Sequence, residues 1–232
     1  MSHTNEWIGP NISLLELVTR MPDELCPVVA VPGVGRLSEA LAEHDIDVRT
    51  LARIDRYGIP ALARMIRHEG VALVYGNSAH GASRNALIAA KFCNVPFVYH
   101  LREMAGPGRP GRIRLFSLAD AAVAVSRAAA VSYRGRFRRP PRVIHNGVSV
   151  DRFDRDRASA RQAVAAEFGI EPEAPLLIHV GNVYHRKGQL TALAVVRDMQ
   201  TDLPGCSLLI VGRLDRDPAY VQQIRETIVE YG

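Results

Sequence analysis

The sequence contains little cysteine, few aromatic residues and no long apolar run. Its three cysteines, Cys26, Cys93 and Cys206, are too few and too scattered for a disulfide framework or a metal site, so free thiols are expected. No apolar run is long enough to span a bilayer, and no charged-then-apolar leader opens the chain, which predicts a cytoplasmic protein. Interleaved aromatic residues and a DNA-binding helix motif are also missing, so nucleic acid is not an expected partner.

Positive charge is in excess and is unevenly distributed. The net charge is +5, and much of the positive charge lies in two arginine clusters. The first cluster consists of Arg109, Arg112 and Arg114, and the second of Arg134, Arg136, Arg138, Arg139 and Arg142. A polybasic segment is attracted to an anionic membrane by about 1 kcal/mol per residue. Two interpretations stay open: peripheral contact with the inner face of the cytoplasmic membrane, or a solvated surface loop.

Short apolar runs alternate with helical periodicity along almost the whole chain. With 47% hydrophobic and 23% charged residues, the 232-residue chain has the composition of a globular protein. The expected strands are 28–31, 48–51, 71–75, 97–100, 121–125, 143–145, 176–180 and 207–211. Strands that alternate with helices predict an α/β fold with doubly wound parallel sheets covered on both faces. Ser13 and Glu16 have the spacing of a capping box that opens the first helix.

We expect two Rossmann-like domains. The segment VIHNGVSVDRFD ends the first, so residues 1–154 form the N-terminal domain. Residues 155–173 are expected to form a connecting helix and a linker, and residues 174–232 begin the second domain. Two strands and two helices do not complete such a core, so we expect the second domain to be incomplete and the chain to be cut short.

One loop combines a strand end, a glycine and two cations. In HVGNVYHRKGQLTALAVV, the strand leads into Gly181, and Arg186 and Lys187 precede Gly188 and a helical pattern. In open α/β sheets, ligands bind beyond the carboxyl ends of the strands, where helix N-termini are electropositive. A guanidinium grips phosphate oxygens bidentately, and an ammonium adds a point charge. The residue types therefore favour a diphosphate site over a solvated helix start.

Four segments together resemble family 4 glycosyltransferases of the GT-B fold. HVGNVYHRKGQLTALAVV followed by LLIVGRL is similar to the start of that family's second domain, and VIHNGVSVDRF is similar to the segment that closes its first domain. NVPFVYHLREM resembles its stretch ending in a histidine and an acidic residue, and ADAAVAVSRAAA resembles the strand and helix before the domain crossing. The likeness runs in the correct order over most of Ile8 to Leu214.

The resemblance implies retaining transfer of a sugar from a nucleotide-diphosphate donor to a glycan or lipid-linked acceptor, as in polysaccharide biosynthesis. Arg186 and Lys187 match the cations that neutralise the departing diphosphate, a role for which no metal or other cofactor is needed. The implied donor-phosphate residues are Gly181, Asn182, Arg186, Lys187, Gly188 and Gly9. The implied catalytic residues are His100, Glu103 and Asn146, and the implied acceptor-side residues are Asn77, Ser78 and Arg102.

Several of these residues also have a purely structural interpretation. A histidine at a strand end is often a capped structural residue. Arg102 and Glu103 are adjacent enough to pair with each other, and Asn77, Ser78 and His80 have the composition of a polar turn. Where the family has paired glycines, this chain has Gly9 followed by Pro10.

The family pattern extends beyond both ends of this chain. It has a central first strand before the glycine loop, and after the position of Gly232 it has a pair of glutamates, spaced eight apart, that contact the donor. Loss of the first strand would leave unpaired backbone groups on its two neighbours. We therefore expect a chain truncated at both ends that has little or no transferase activity on its own.

Two further function classes stay open. The absence of the glutamate pair is compatible with a non-catalytic module that binds nucleotide sugar or phosphate. The segment VPGVGRLSEAL places Gly33 and Gly35 after a strand, as a nicotinamide-dependent oxidoreductase would. Ser38 replaces the third glycine of that fingerprint, which favours an ordinary tight turn. A GT-B epimerase acting on nucleotide sugars is a close relative of the leading interpretation.

Overall fold

The structure is a computed structural model that describes residues 1–79, 81–106 and 115–231, without the side chain of Arg152. His80 and the first arginine cluster (Arg109, Arg112 and Arg114) lie outside the described residues. The chain divides into two compact units, Met1–Val150 (unit 1) and Asp151–Gly232 (unit 2). Both consist of helices and parallel strands, which confirms the predicted α/β class.

Unit 1 contains six strands and five α-helices among its described residues. The strands are β1 (Val28–Val31), β2 (Asp47–Thr50), β3 (Val74–Gly76), β4 (Phe97–Leu101), β5 (Ala121–Ala124) and β6 (Arg142–Val143). The helices are α1 (Gly9–Val18), α2 (Arg36–Ala42), α3 (Ile59–His68), α4 (Gly81–Phe92) and α5 (Arg127–Ser132). Strands β1 and β2 pair in parallel, and β3, β4, β5 and β6 form a second parallel sheet in that order.

Residues Met1 and Ser2 lie between these two sheets. The backbone N–H of Ser2 donates to the carbonyl oxygen of Ala30 in β1 at 3.0 Å. The terminal ammonium of Met1 donates to the carbonyl oxygen of Tyr75 at 2.7 Å, and the N–H of Asn77 donates to that of Met1 at 3.2 Å. The carbonyl groups of Ala30 and Tyr75 and the N–H of Asn77 are therefore hydrogen-bonded. The expected loss of the family's first strand had predicted unpaired groups at these two sheet edges.

The core of unit 1 lies between its second sheet and the helices α3 and α4. Alternate residues of β4, Phe97, Tyr99 and Leu101, are at most 1% exposed, because this strand is central in its sheet. Helix α4 presents a run of small or apolar residues to the core: Ala86, Leu87, Ala89 and Ala90. Small side chains let the helix approach the sheet closely, which fixes the ends of β3 and β4.

Unit 2 contains two parallel strands within residues 151–231, β7 (Leu176–Val180) and β8 (Ser207–Val211). Its helices, among the described residues, are α6 (Arg157–Phe168), α7 (Gln189–Met199) and α8 (Pro218–Tyr231). Asp156 caps α6 by accepting the N–H of Ser159 at 2.7 Å, and Gly169 ends the helix in the left-handed conformation. Helix α6, which the sequence assigned to the connection between domains, is counted with unit 2.

Several local predictions are corrected by the structure. Helix α1 begins at Gly9, with Ile8 as its N-cap, so Ser13 lies inside the helix and the predicted capping box with Glu16 is wrong. Pro10 accounts for the early start, because its fixed φ suits the first helical turn. The third strand begins at Val74, not Val71, because the N–H of Val71 is used by the carbonyl oxygen of Ile66 at the end of α3.

Candidate functional site

Segments from α1, β3, β4 and the chain after β6 meet around the guanidinium of Arg102. Its Nε donates to the side-chain oxygen of Asn77 at 2.9 Å and to the Asn77 carbonyl oxygen at 3.2 Å. Its Nη1 donates to Oγ of Ser13 at 2.8 Å and to Oδ1 of Asn146 at 3.1 Å. Asn77 is 1% exposed, and its amide donates to the carbonyl oxygen of Pro10 at 3.0 Å. The structure thus brings together three predicted site residues, Asn77, Arg102 and Asn146.

The four oxygen atoms that accept these hydrogen bonds from Arg102 are all neutral. Burial lowers the pKa of its guanidinium, which nevertheless stays charged at neutral pH. The suggested pairing with Glu103 does not occur, since Glu103 is exposed and forms no ion pair within the described ranges. The carboxyl ends of β3 and β4 therefore carry a positive charge that no carboxylate in the described part of unit 1 neutralises.

His100 lies near the end of β4, beside Tyr75 of the neighbouring strand. Its Nδ1 is hydrogen-bonded to the hydroxyl group of Tyr75, and the two rings meet edge to face at 76° with centres 5.7 Å apart. Burial, together with the charge of Arg102, lowers the pKa of His100 to about 4, so the ring is neutral at pH 7. Its Nε2 is buried and reaches no hydrogen-bond partner among the described residues.

The remaining predicted residues of unit 1 lie around this cluster without joining it. Ser78 is 6% exposed, and its hydroxyl lies 3.4 Å from Nδ1 of His3. Gly9 is the first residue of α1, and a Cβ added there would meet nothing within 4 Å. Glu103 points into solvent and takes no part in the Arg102 hydrogen bonds.

In unit 2, the predicted phosphate loop is the connection 181–188 between β7 and α7. His185 to Lys187 form one 3-10 turn, and Gly188 then takes a left-handed φ of 75° before α7 begins. Arg186 and Lys187 are both exposed, and neither side chain forms an ion pair or hydrogen bond with any residue in the described ranges. The cation pair is therefore available to an external anion.

The backbone of this loop is held in place by groups beneath it. Gln189, which is fully buried, donates from Nε2 to the carbonyl oxygen of Asn182 at 3.0 Å. Nε2 of His179 lies 3.0 Å from the carbonyl oxygen of Lys187. The residues that follow β7 and β8, Gly181 and Gly212, lie in close contact. A Cβ added to Gly212 would stand 2.1 Å from the carbonyl oxygen of Gly181. The main chain of the loop is thus fixed, and the side chains of Arg186 and Lys187 stay exposed.

Sequence reasoning missed three residues that build these sites. Ser13 was taken for a cap, Tyr75 was treated only as strand, and Gln189 only as the start of a helix. Ser13 and Tyr75 gain their partners, Arg102 and His100, through contacts distant in sequence, whereas Gln189 bonds to Asn182, seven residues before it. Gln189 is buried at the first position of α7. Its burial could be predicted from the sequence only after the preceding strand had been assigned.

The turn that suggested a dinucleotide fingerprint is closed by the protein itself. The side-chain amide of Asn5 donates to the carbonyl oxygens of Pro32 and Gly33, at 3.0 and 2.7 Å. Ser38 and the backbone of Gly35 exchange hydrogen bonds at the start of α2. The side chain of Asn5 thus lies against this turn, and a Cβ added to Gly35 would stand 2.9 Å from Cβ of Asn5.

Comparison with known proteins decides the family. The sequence profile of glycosyltransferase family 4 matches residues 9–152, more than half of the chain. This chain belongs to glycosyltransferase family 4. The matched region runs from the start of α1 past β6, so it contains the whole Arg102 cluster and His100. No curated protein sequence matches this family member significantly.

Solved structures share its fold. HepE from Anabaena in complex with UDP superposes with a TM-score of 0.83 at 20% identity, over 99% of this chain and 65% of HepE. A glycosyltransferase from Rickettsia africae gives 0.75 at 17% identity, over 96% of this chain and 61% of its own. MurG from Acinetobacter baumannii superposes with a TM-score of 0.53 at 11% identity, over 91% of this chain and 67% of MurG. The likeness shows the GT-B fold, and this family 4 chain spans about 65% of the length of HepE.

Proposed function

We propose that this chain is the part of a nucleotide-sugar glycosyltransferase that binds the donor diphosphate. The family membership supports this proposal, and so do structures of HepE in complex with UDP and with UDP and glucose. The observation that carries it is the exposed, unpaired cation pair Arg186 and Lys187 on a loop whose backbone is fixed. The reaction is sugar transfer with retention of configuration, to a glycan or lipid-linked acceptor.

The charge balance of that reaction explains why two cations are needed. As the bond between the sugar and the diphosphate breaks, negative charge accumulates on the leaving phosphate oxygens. Arg186 holds those oxygens bidentately, while Lys187 adds a flexible point charge. The main-chain groups of Gly181, Asn182 and Gly188 shape the loop around the phosphates. Since the cation pair stabilises the leaving group, we propose that no metal ion takes part.

Unit 1 supplies the acceptor side in this proposal. His100 and Asn146 stand at the carboxyl ends of their strands, where substrates bind in open α/β sheets. Asn77, Ser78 and Arg102 form the polar wall beside them, and Glu103 is the solvent-facing carboxylate of the same segment. Gly9, at the N-terminus of α1, belongs instead to the donor-phosphate residues of this proposal, and a Cβ added there would meet nothing within 4 Å.

Isothermal calorimetry with UDP and GDP tests the donor site. Hydrogen bonds to charged groups contribute about 1.5–3 kcal/mol each, so Arg186→Ala or Lys187→Ala should raise Kd by about tenfold or more. The matched control is Arg225→Ala, which removes another exposed arginine, from α8 of the same unit. Equal affinity of all three variants and the wild type would refute the site. Affinity that is unchanged by a chelator is expected if no metal bridges the diphosphate.

A non-catalytic nucleotide-sugar-binding module is the second candidate. It predicts UDP binding that depends on Arg186 and Lys187, with no transfer of sugar to any acceptor when the rest of the enzyme is supplied. Release of UDP and labelled product by the complete enzyme, abolished by the double substitution of these two cations, would exclude this candidate.

The second arginine cluster supports a further proposal about partners. Arg134, Arg138, Arg139 and Arg142 are exposed, whereas Arg136 lies over the Tyr133 ring and donates to the carbonyl oxygen of Gly106. No helix in the described ranges combines the length and the apolar character needed to cross a membrane. We propose that the exposed arginines bind the anionic headgroups of a membrane surface peripherally. Co-sedimentation with phosphatidylglycerol vesicles should fall for the double variant Arg138→Gln, Arg139→Gln but not for Arg225→Gln, and equal binding would reject the contact.

A further inference from the structure

The hydroxyl of Tyr75 interacts with two groups, His100 and Arg102, whose hydrogen-bonding capacities are unequal. A guanidinium only donates, a tyrosine hydroxyl donates once and accepts, and a neutral imidazole has one donor and one acceptor nitrogen. The hydroxyl of Tyr75 is bonded to Nδ1 of His100 and also interacts with the guanidinium of Arg102. The protonation of the imidazole therefore follows from the direction in which the single hydroxyl proton points.

The hydroxyl proton of Tyr75 cannot be used toward Arg102, which offers no lone pair. The oxygen of Tyr75 accordingly faces the positive charge, and its proton is free to point at Nδ1 of His100. The guanidinium of Arg102 acts on the Tyr75 hydroxyl through its charge and as a hydrogen-bond donor. This contact orients the O–H dipole with its oxygen toward the cation.

The alternative direction requires a proton on Nδ1. An Nδ1–H group would donate to the Tyr75 oxygen, and the hydroxyl proton would then lack an acceptor between an N–H and a guanidinium. A doubly protonated ring would add a second buried positive charge beside Arg102, in a place where His100 is 8% exposed. Burial also raises the pKa of Tyr75 to about 12, so the hydroxyl keeps its proton at neutral pH.

We propose that Tyr75 and Arg102 are positioning residues that hold His100 as the neutral tautomer with its proton on Nε2. At the carboxyl end of β4, His100 is then a hydrogen-bond donor and not a general base. Its Nε2–H is buried without an acceptor among the described residues, so a substrate oxygen atom would have to displace part of its cover to accept from it. The substrate part of this inference rests on the proposed function, whereas the tautomer itself does not.

Nitrogen-15 NMR of histidine-labelled protein distinguishes the three protonation states of the ring directly. The wild-type chain is expected to show His100 as the Nε2–H tautomer at pH 7. In Tyr75→Phe, Nδ1 loses its donor, so a mixture of the two neutral tautomers is expected. Tyr99→Phe is the matched control, because it removes a buried hydroxyl from the residue next to His100 without touching Nδ1.

The outcomes separate this inference from the proposed function. An Nδ1–H or doubly protonated ring in the wild type would overturn it without any variant. A tautomer that is unchanged in a folded Tyr75→Phe protein would overturn the role of Tyr75. UDP titration of the same samples is an independent readout, because Arg186 and Lys187 lie in unit 2. An Nε2–H ring in a protein that binds no nucleotide would leave this inference standing and remove the proposed function.

Discussion

In unit 1, the guanidinium of Arg102 donates four hydrogen bonds to Asn77, Ser13 and Asn146, whereas in unit 2 the side chains of Arg186 and Lys187 bond to no described residue. The first cation is half-buried and holds chain segments together, and the second pair is exposed on a loop held by its backbone. A cation that hydrogen-bonds several chain segments within the protein contributes to stability, and a cation left unpaired on a fixed loop is available for binding. Substitutions in the two regions should therefore affect different measurements.

The largest effect is expected from Arg102→Ala. It removes the donor for oxygen atoms of three residues and leaves those oxygens under-satisfied, which should lower the free energy of unfolding by about 4 kcal/mol. Urea denaturation measures the change. If the loss stays below about 1 kcal/mol, a structural role for this guanidinium is untenable, since that is the size of one ordinary hydrogen bond.

Gly212→Ala should disrupt unit 2 in a comparable way. The new Cβ would stand 2.1 Å from the carbonyl oxygen of Gly181, so the ends of β7 and β8 must separate. Overpacking of this kind costs about 3 kcal/mol, and UDP affinity should fall with it because the phosphate loop starts at Gly181. Gly9→Ala is the control, since its Cβ meets nothing within 4 Å. Similar melting temperatures for the two alanine variants would contradict the close contact.

Ser13→Ala distinguishes helix capping from the Arg102 contact. The substitution removes a hydrogen bond to the charged Arg102, so it should lower the free energy of unfolding by about 1.5 kcal/mol. In the Arg102→Ala background, the same substitution should cost less, because only the hydrogen bond from Ser13 to Asn146 is left to lose. A double-mutant cycle in urea gives the coupling energy. Additive effects would show that Ser13 acts within α1 and not through Arg102.

The smallest effect is expected at the surface pair Lys91 and Asp120. Asp120 accepts from Nζ of Lys91 and from the N–H of Phe97, each at 2.6 Å, and these bonds, with that of Lys91 first, lower the pKa of Asp120 below 3.8. Asp120→Asn should cost only about 0.5 kcal/mol at pH 7, since solvent screens the pair. Because the folded pKa is depressed, the difference should be fully present above pH 3.8 and vanish as the pH falls below it. A difference that grows on acidification would contradict this sign.

The strands and the position of the loop 181–188 were predictable because their signals are local. Short apolar runs located the strands to within a few residues, and two adjacent cations before Gly188 marked the loop. The Arg102 cluster was not predictable, because Ser13 and Asn146 are 133 residues apart and meet only when α1 and the chain after β6 reach the same sheet edge. Ser13 and Glu16 have the spacing of a capping box, but α1 begins four residues earlier, at Gly9, because Pro10 suits its first turn.

The central claim is that the donor diphosphate binds the loop 181–188 through Arg186 and Lys187. Titration of the nitrogen-15-labelled chain with UDP, followed residue by residue in amide spectra, tests it most directly. The account predicts saturable shifts at Gly181, Asn182 and Gly188 that disappear when Arg186 and Lys187 are both changed to alanine. Shifts that leave this loop untouched, or that persist unchanged in the double variant, would contradict it.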